Sequence, residues 1–359
     1  MAQIDKPNLH FNTALYTGNG TTQSITSLDF QPDLTWIKGR SDAIAHVLFD
    51  SVRGAGGNKE IGSNVTYAEG GNSSISYGFL SSFNSDGFTV RNGTSSPNQA
   101  DYTNKNSSTY ASWNWKAGGT AVSNTAGSIT SSVSANTTAG FSIVSYTGNG
   151  TGNSTIGHGL GAIPKFIIVK NRSATGAWGT KNPAYNSPAD PKVLYFDIGT
   201  ADSSQNVWGT SASFTTLTFT VGDWSGSNTS SQNYIAYCFA DVKGYSKMGS
   251  YVGNGSATDG TFVYLGFKPS FILVRSYTTA SSWNMHDNKR QTFNDGSIPY
   301  FKANTSDAEL SASNMDFLSN GFKFRTTDND FNGSGQSYIY MAFAENPLVG
   351  SNGIPTTAR

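Results

Sequence analysis

Tyr16-Thr17-Gly18-Asn19-Gly20 is the first copy of a phrase that returns as Tyr146-Thr147-Gly148-Asn149-Gly150 and as Tyr251-Val252-Gly253-Asn254-Gly255. Each copy opens a stretch of about a hundred residues with the same order of landmarks, so the chain contains three repeats. Glycine and asparagine tolerate positive φ better than bulky residues do. We therefore predict that the phrase forms a turn at the end of a strand, with its tyrosine packed at that strand end.

The landmarks that follow the phrase are those of a β-protein. A short apolar run bounded by turn residues, such as Leu34-Thr35-Trp36-Ile37, is typical of a buried strand. Each repeat closes on an aromatic run, such as Tyr110-Ala111-Ser112-Trp113-Asn114-Trp115. Short strands separated by turn signals indicate antiparallel sandwiches. We predict an all-β protein of three tandem antiparallel β-sandwich repeats with a jelly-roll-like organisation.

The positions of the three copies also set the predicted boundaries. We expect an N-terminal lead over residues 1–9, repeats over 10–116, 140–247 and 248–345, and a C-terminal tail over 346–359. Residues 117–139 are rich in Ser, Thr and Gly, and we predict a linker there that can form a marginal hairpin. The third repeat follows the second almost directly, so these two are expected to pack on each other.

The closing strand of each repeat has one large apolar face. With a period of two, this face carries Ala111, Trp113 and Trp115 in the first repeat, Ile235, Tyr237 and Phe239 in the second, and Ile339, Met341 and Phe343 in the third. The opposite face begins with a tyrosine and continues mostly with smaller or polar residues. We expect the large face to fill the sandwich cores.

The low and balanced charge excludes several classes of partner. Charged residues make up 13% of the chain, with 23 basic and 23 acidic side chains. Nucleic-acid binding usually needs a basic patch, and no run of Lys and Arg here exceeds two residues. No apolar stretch is long enough to span a membrane, and the N-terminus lacks the apolar segment of a secretory signal. We predict no nucleic-acid partner and no membrane insertion.

No cofactor or metal is predicted. The four histidines lie far apart, at non-equivalent places in the repeats, so a zinc cluster is not indicated. Asp328-Asn329-Asp330-Phe331-Asn332-Gly333 matches the front half of a calcium loop, but Ile339 stands where the loop needs a glutamate. A polar turn between two strands accounts for the same residues. Phosphate loops and nucleophile elbows are absent from the sequence, and we predict no catalytic residues and no enzymatic activity.

The sharpest polar pattern is shared by the first and third repeats. Asp50 corresponds to Asp287, Arg53 to Arg290, Asn64 to Asn304, and Glu69 to Glu309. The second repeat lacks the set and has Trp178-Gly179-Thr180-Lys181 near the Asp/Arg position. Asp–Arg bridges with an asparagine turn explain the pattern as structure alone. The eight residues are also our candidate ligand-binding set, and paired carboxylates would in principle suit glycoside hydrolysis.

The repeated motifs resemble a domain of unknown function that is found in virion proteins of marine tailed bacteriophages. The resemblance rests on the Tyr-Thr-Gly-Asn-Gly phrase, on Phe49-Asp50-Ser51-Val52-Arg53, on the Asp86-Gly87-Phe88 turn and on the aromatic closing strand. It covers about residues 10–345, and the second repeat departs from it most, notably over residues 182–202. The resemblance implies a structural protein on the surface of a phage particle, and it transfers no catalytic residues.

Three hypotheses of function follow. The first is a tail-fibre or tail-tip protein, made in the host cytoplasm and located on the virion surface, that presents loops to a host-surface glycan or receptor. The second is a capsid decoration or head-fibre protein, and the third, much weaker, is a polysaccharide depolymerase. Other virion proteins are the expected partners. A homo-oligomer such as a trimer is expected from the class, and the alternative is that the three repeats mimic three-fold symmetry within one chain.

Overall fold

A computed structural model describes residues 2–182, 193–199, 205–290, 294, 298–312 and 315–356. Its regular structure is almost entirely antiparallel β-sheet, in three units that each combine a large sheet with a small one. The predicted all-β class of antiparallel sandwiches is confirmed. Most of the divergent part of the second repeat, residues 183–192 and 200–202, lies outside the described residues. In the described part of the chain, no helix has the length and apolar content to cross a membrane.

The first unit follows a single 3-10 turn at Pro7–Leu9 and includes one short helix, α1 (Ser74–Tyr77). Its strands are β1 (Phe11–Thr17), β2 (Gln23–Ile25), β3 (Leu34–Gly39), β4 (Val47–Asp50), β5 (Phe79–Asn84), β6 (Gly87–Arg91) and β7 (Thr109–Trp115). The large sheet has the order β1-β7-β3-β4, and the small sheet has the order β2-β6-β5.

The second unit has the largest sheet. Its strands are β8 (Val122–Asn124), β9 (Ser131–Asn136), β10 (Phe141–Thr147), β11 (Ser154–Gly157), β12 (Phe166–Asn171), β13 (Gly179–Lys181), β14 (Leu194–Tyr195), β15 (Thr218–Val221) and β16 (Asn233–Phe239). The large sheet has the order β14-β13-β12-β16-β10-β9-β8, and β11 pairs with β15 in the small one.

The third unit repeats the plan with a longer closing strand. Its strands are β17 (Ser246–Val252), β18 (Phe262–Tyr264), β19 (Phe267–Ser276), β20 (Asn284–Asp287), β21 (Ile298–Lys302), β22 (Leu310–Ala312), β23 (Met315–Leu318), β24 (Gly321–Phe324) and β25 (Ser337–Pro347). The large sheet has the order β17-β25-β19-β20-β21-β22, and the small sheet has the order β18-β24-β23.

The three large sheets share one strand order, in which the closing strand lies between the opening strand and the buried apolar strand. These trios are β1-β7-β3, β10-β16-β12 and β17-β25-β19, and every pair in them is antiparallel. The common order of landmarks in the sequence therefore corresponds to one common sheet topology.

The segment predicted as a linker contributes two strands to the second sheet. β9 pairs with β10 from Phe141↔Asn136 to Tyr146↔Ser131, and β8 pairs with β9. Val133 and Ile129 are buried in the core of the second unit. Val133 is the one large apolar side chain of β9, and the opposite face of this strand carries Ser132, Ser134 and Asn136.

The Tyr-x-Gly-Asn-Gly phrase ends each opening strand with an Asn–Asn lock. The backbone N–H of its asparagine donates to the side-chain oxygen of an asparagine that precedes the closing strand; the pairs are Asn19–Asn104 at 3.0 Å, Asn149–Asn228 at 2.9 Å and Asn254–Asn332 at 3.1 Å. Only the second glycine has positive φ, for example +76° at Gly20. The first glycine is needed for another reason: a Cβ at Gly18 would collide with the backbone carbonyl of Lys105.

The tyrosine of each phrase packs at the strand end, as predicted. It stacks on the first tyrosine of the closing strand, with ring centroids 5.1 Å apart for Tyr16–Tyr110, 5.2 Å for Tyr146–Tyr234 and 4.8 Å for Tyr251–Tyr338. Its hydroxyl donates to a backbone carbonyl, at 2.7 Å from Tyr16 to Thr103. The phrase thus joins the opening strand to the loop before the closing strand.

Each large sheet is buried on both faces. The tyrosine side of the closing strand packs on the small sheet of its own unit, so that Tyr110 shares a sandwich core with Leu80 and Phe88. The opposite side faces an apolar core to which all three units contribute, called here the central core. Along β7, every residue from Tyr110 to Trp115 is 0–1% exposed.

The large apolar face predicted for the closing strands lies in the central core, so the expectation that it fills the sandwich cores is wrong. The residues concerned are Ala111, Trp113, Trp115, Ile235, Tyr237, Phe239, Ile339, Met341 and Phe343. The period of a strand separates its two faces, but it does not tell which neighbouring layer covers each face.

Aromatic rings join the units across the central core. Trp36 of the first unit lies 5.8 Å from Phe196 of the second, and Phe166 of the second lies 5.8 Å from Trp283 of the third. Trp113 of the first unit lies 5.7 Å from Phe301 of the third, which closes the circle. Such pairs contribute about 0.5–1.5 kcal/mol each beyond the burial of their area.

The two ends of the chain meet beside the third unit. The backbone N–H of Ser351 donates to Asp5 at 2.8 Å, and the Gln3 side chain donates to the carbonyl of Val349 at 2.5 Å. The tail over residues 346–356 therefore forms a strap that holds the N-terminal lead.

Trp113→Ala or Phe343→Ala should lower the free energy of unfolding by about 3–5 kcal/mol, because each truncation leaves a cavity in the central core. Chemical denaturation followed by fluorescence and circular dichroism measures the change. Val122 is 65% exposed, so Val122→Ala serves as the control and should change stability by less than about 0.5 kcal/mol. An unaltered unfolding curve for both core variants would refute the assignment of the central core.

Candidate functional site

The candidate aspartates end equivalent strands and form buried ion pairs. Asp50 lies opposite Leu34 at the end of β4, and Asp287 lies opposite Phe271 at the end of β20. Asp50 Oδ2 is 2.5 Å from Arg53 Nε, and Asp287 Oδ2 is 2.6 Å from Arg290 Nε. All four side chains are fully buried. Each carboxylate therefore has its charge compensated within the turn that follows its strand.

The turn also satisfies the second oxygen of each aspartate. Asp50 Oδ1 accepts the backbone N–H groups of Val52 at 3.1 Å and Arg53 at 2.9 Å. Asp287 Oδ1 accepts those of Lys289 and Arg290 at the same two distances. The Asp-x-x-Arg spacing is thus the spacing of a closed turn, with the carboxylate bonded to the backbone on one side and to the guanidinium on the other.

A neighbouring unit donates a further hydrogen bond to each aspartate. Tyr237 of the second unit donates to Asp50 Oδ2 at 2.7 Å, and Trp113 of the first unit donates to Asp287 Oδ2 at 3.0 Å. Tyr237 and Trp113 occupy the same position in their closing strands. The aspartates therefore belong to the contacts between units.

The second unit has no aspartate at this position, and the third unit has no hydrogen-bond donor at the position of Tyr237 and Trp113. By strand register, Asn182 stands at the position of Asp50 and Asp287. The closing-strand position of Tyr237 and Trp113 is Met341 in the third unit, and its thioether has no hydrogen to donate. The replacement of the aspartate by Asn182 in the second repeat thus accompanies the replacement of the donor by Met341 in the third.

The candidate glutamates bridge neighbouring units. Glu309 of the third unit accepts two hydrogen bonds from Arg40 of the first, both at 2.9 Å, and lies 3.3 Å from Arg290. Glu69 of the first unit lies 2.6 Å from Arg172 of the second. The backbone N–H of Glu309 donates to the carbonyl of Arg40 at 2.9 Å, and that of Glu69 donates to Arg172 at 3.0 Å. Glu309 with Arg40 and Glu69 with Arg172 thus form the same clamp, which combines a side-chain ion pair with a backbone hydrogen bond between two units.

Each candidate asparagine accepts a backbone N–H from a residue whose side chain contacts a neighbouring unit. Asn64 accepts the backbone N–H of His46 at 2.9 Å, and Asn304 accepts that of Trp283 at 2.8 Å. In the second unit Asp197 accepts the backbone N–H of Trp178 at 2.9 Å. Asp197 was not among the predicted site residues, because the segment around it is too different from the other two repeats to be aligned with them.

The three residues so held form a closed ring of donors between the units. His46 Nε2 lies 3.2 Å from the carbonyl of Lys302 in the third unit. Trp178 Nε1 donates to Gly62 of the first unit at 3.0 Å, and Trp283 Nε1 donates to Tyr195 of the second at 2.9 Å. Each unit contacts the next in the same direction, which is the pattern of a closed three-fold ring. The three repeats are thus arranged with pseudo-three-fold symmetry within one chain.

The histidine of this ring is held in one tautomer. Trp36 Nε1 donates to His46 Nδ1 at 2.9 Å, so His46 carries its proton on Nε2, where it reaches the Lys302 carbonyl. Burial lowers the pKa of His46 well below its usual range, and the positive charge of Lys38 acts in the same direction. A neutral ring is therefore part of the contact.

Two buried lysines reinforce the same junctions and were not among the predicted site residues. Lys38 Nζ lies 3.3 Å from the carbonyl of Ser306 in the third unit, and Lys170 Nζ lies 2.8 Å from that of Thr66 in the first. Burial lowers the pKa of both lysines to about 8. Their signal in the sequence is a lysine directly after the apolar run of a buried strand, Lys38 after Leu34–Ile37 in β3 and Lys170 after Phe166–Val169 in β12.

The eight candidate residues thus lie at the junctions between units, and the contacts support their structural interpretation. None of them lines the groove of about 670 Å³ beside the third unit or the smaller cavity near Asn12. Among the described residues, no three His, Cys, Asp or Glu side chains are grouped so that they could hold a metal ion. A ligand-binding role for the eight residues stays a prediction.

The comparisons with known proteins give one match. A family described as "Domain of unknown function (DUF7483)" matches residues 6–347, which is nearly the whole chain. No curated protein and no solved structure matches the chain.

Asp50→Ala should lower the free energy of unfolding by about 3–5 kcal/mol, because it leaves the Arg53 guanidinium buried without its partner. Combining Asp50→Ala with Arg53→Met should restore part of this loss, which a double-mutant cycle in denaturant measures. Asp259 has an 87% exposed side chain paired with Lys323, and Asp259→Ala is the control that should leave the unfolding curve nearly unchanged. Equal effects of the buried and exposed variants would contradict the buried-pair interpretation.

Acid should destabilise the fold through its buried histidines. Burial lowers the pKa of His286 to about 3 and that of His46 well below its usual range. Below the usual histidine pKa of about 6.5 the unfolded chain takes up protons that the folded chain does not, so stability falls with falling pH by up to about 1.4 kcal/mol per unit for each histidine.

His286→Phe tests this pH dependence, since Phe49 stands at the same register position in the first unit. Denaturant unfolding between about pH 4 and pH 7 should show a shallower loss of stability for the variant than for the wild type. Identical pH profiles for the two proteins would show that His286 does not contribute.

Proposed function

The chain belongs to the DUF7483 family, and on that premise we propose that it is a structural protein on the surface of a tailed-phage virion, most simply in a tail fibre or tail tip, which presents loops to a glycan on the host surface. The virion context is supported by the resemblance of the repeated motifs to proteins of such particles. The observation that carries the scaffold role is the closed ring of contacts between the three units.

This ring suits a rigid support for recognition loops. The three large sheets are fixed by the central core and by charged clamps, while the turn between β5 and β6 is exposed at Ser85 and Asp86. Binding residues are commonly carried on loops that a rigid scaffold positions. The units therefore serve, in this proposal, as three supports that project different loops from one body.

A non-enzymatic role is part of the proposal. A glycosidase needs one carboxylic acid that protonates the leaving group and a second carboxylate that can reach the sugar. The candidate carboxylates are engaged instead with arginines, two fully buried and two bridging units. These contacts favour a structural role for Glu69 and Glu309 over a depolymerase.

A capsid decoration or head-fibre protein is the second candidate. The pseudo-three-fold arrangement of the units within one chain favours it as much as a tail location, because a body of this symmetry fits a three-fold position on either structure. The two candidates differ in the number of copies per particle.

Gold-labelled antibody against the chain should bind intact virions at the tail, and electron microscopy shows where the label lies. Quantitative mass spectrometry of purified particles provides the copy number, which we expect to be small for a tail protein. Label on the head together with many copies would favour the decoration protein. Particles without the protein would rule out both candidates.

A further inference from the structure

The third unit exposes two aromatic rings on one face of β18. Phe262 is 44% exposed and Tyr264 is 53% exposed, while Val263 between them is buried in the sandwich core. Residues two apart on a strand point to the same side, about 7 Å from each other. The two rings therefore form a short strip on the outside of the small sheet.

The other two units show that the sandwich does not need these rings. Val263 lies opposite Phe322, as Ile25 lies opposite Phe88 in the first unit. The positions of Phe262 and Tyr264 are accordingly Ser24 and Thr26 in the first unit, and both of these are exposed. The same alignment of Ile156 opposite Phe219 gives Thr155 and Gly157 in the second unit.

Tyr264 also lines the groove of about 670 Å³, together with Asp241, Lys243, Lys247 and the tail residues Val349 and Ser351, so the strip leads into this groove from Phe262. In the second unit the corresponding space is filled by β9: Ala135 lies opposite Ser142, and Ala135 and Val133 pack beside Gly159. Among the described strands, none pairs with the outer edge of β17, so the third unit leaves this space open.

The groove carries an excess of positive charge. Lys243 is exposed, and Lys247 reaches across from β17, with its Nζ 2.7 Å from the carbonyl of Tyr264 and 5.5 Å from the centre of its ring. The one acidic side chain that lines the groove, Asp241, accepts the backbone N–H of Met248 at 2.8 Å. Burial raises the pKa of Asp241, and the positive charges of Lys165 and Lys247 act in the opposite direction.

We propose that this strip and groove bind an acidic polysaccharide, a proposal that rests on the proposed host-recognition function and names its ligand class. The faces of sugar rings carry C–H groups that pack on Phe262 and Tyr264. A sugar hydroxyl donates to Ser351 Oγ, whose own proton is donated to Asp5, and carboxylates pair with Lys243. A pocket of this size with a few convergent polar groups is typical of a ligand site.

An added β-strand fits the groove less well than a saccharide does. Lys247 extends from the edge strand β17 across to β18 and so lies along the edge at which β9 is paired in the second unit. Lysines on an edge strand discourage pairing with a further strand. They favour an anionic ligand instead.

The test compares binding of octasaccharides of galacturonate, alginate and hyaluronan with binding of maltooctaose, by calorimetry. We expect at least one acidic octasaccharide to bind the wild type, and the double variant Phe262→Ser/Tyr264→Thr to bind it about tenfold or more weakly. The double variant should keep the fold, because the first unit has Ser24 and Thr26 at these positions; circular dichroism and thermal unfolding check this.

The matched control is Tyr67→Thr/Ile75→Ser, which changes two residues of similar exposure in the first unit, 49% and 46%, and should bind as the wild type does. Lys243→Gln should weaken binding of the acidic octasaccharide and reduce its dependence on salt. Failure of all three acidic octasaccharides to bind, or equal binding by the ring variant, would overturn the proposal. So would a change from oligomer to monomer in the ring variant, since the strip would then be a contact between copies of the chain.

The outcome is separable from that of the proposed function. Label on virions without binding of any acidic octasaccharide would retain the virion role and reject this site. Binding that depends on Phe262 and Tyr264, in a protein that is absent from virions, would retain the site and reject the virion role.

Discussion

The central core imposes one constraint on the whole molecule: each large sheet must be buried on both of its faces. A sheet in an ordinary sandwich has one face to solvent and tolerates charged residues there. Here the closing strand of the first unit is buried from Tyr110 to Trp115, and the corresponding strands of the other units are buried in the same way. The low charge content of the chain follows from this two-sided burial.

The charged side chains described above enter this interior together with their partners. The Asp50–Arg53 and Asp287–Arg290 pairs are each completed by a hydrogen-bond donor from a neighbouring unit. The second unit has Asn182 at the aspartate position, and the third unit has Met341 at the donor position. Uncompensated charge in this place would be strongly unfavourable. The second unit thus differs from the others at the aspartate position and the third differs at the donor position, while the ring of donors runs in the same direction at all three junctions.

The sequence allowed the three repeats, their sheet class and the two faces of each closing strand to be predicted, because period and turn residues are local properties. It did not reveal the central core, since Trp113 and Phe343 are equally compatible with a private or a shared interior. Residues 117–139 read as a linker because Val133 and Ile129 are nearly the only large apolar side chains there. The donors of the ring were missed for a different reason: Trp178 and Trp283 bond to backbone carbonyls, which leave no trace in residue identity.

The covalent connection of the three units has a consequence for how the surface can change. In a homotrimer one gene encodes all three faces, so a new side chain appears three times and any harm it causes is tripled. In this chain the second unit carries an extra hairpin and the third carries two bare aromatic rings, while the first keeps serine and threonine at the same places. In a pseudo-symmetric protein of this kind, the surface residues of each unit can change independently of the other two units, while the residues of the central core keep their packing.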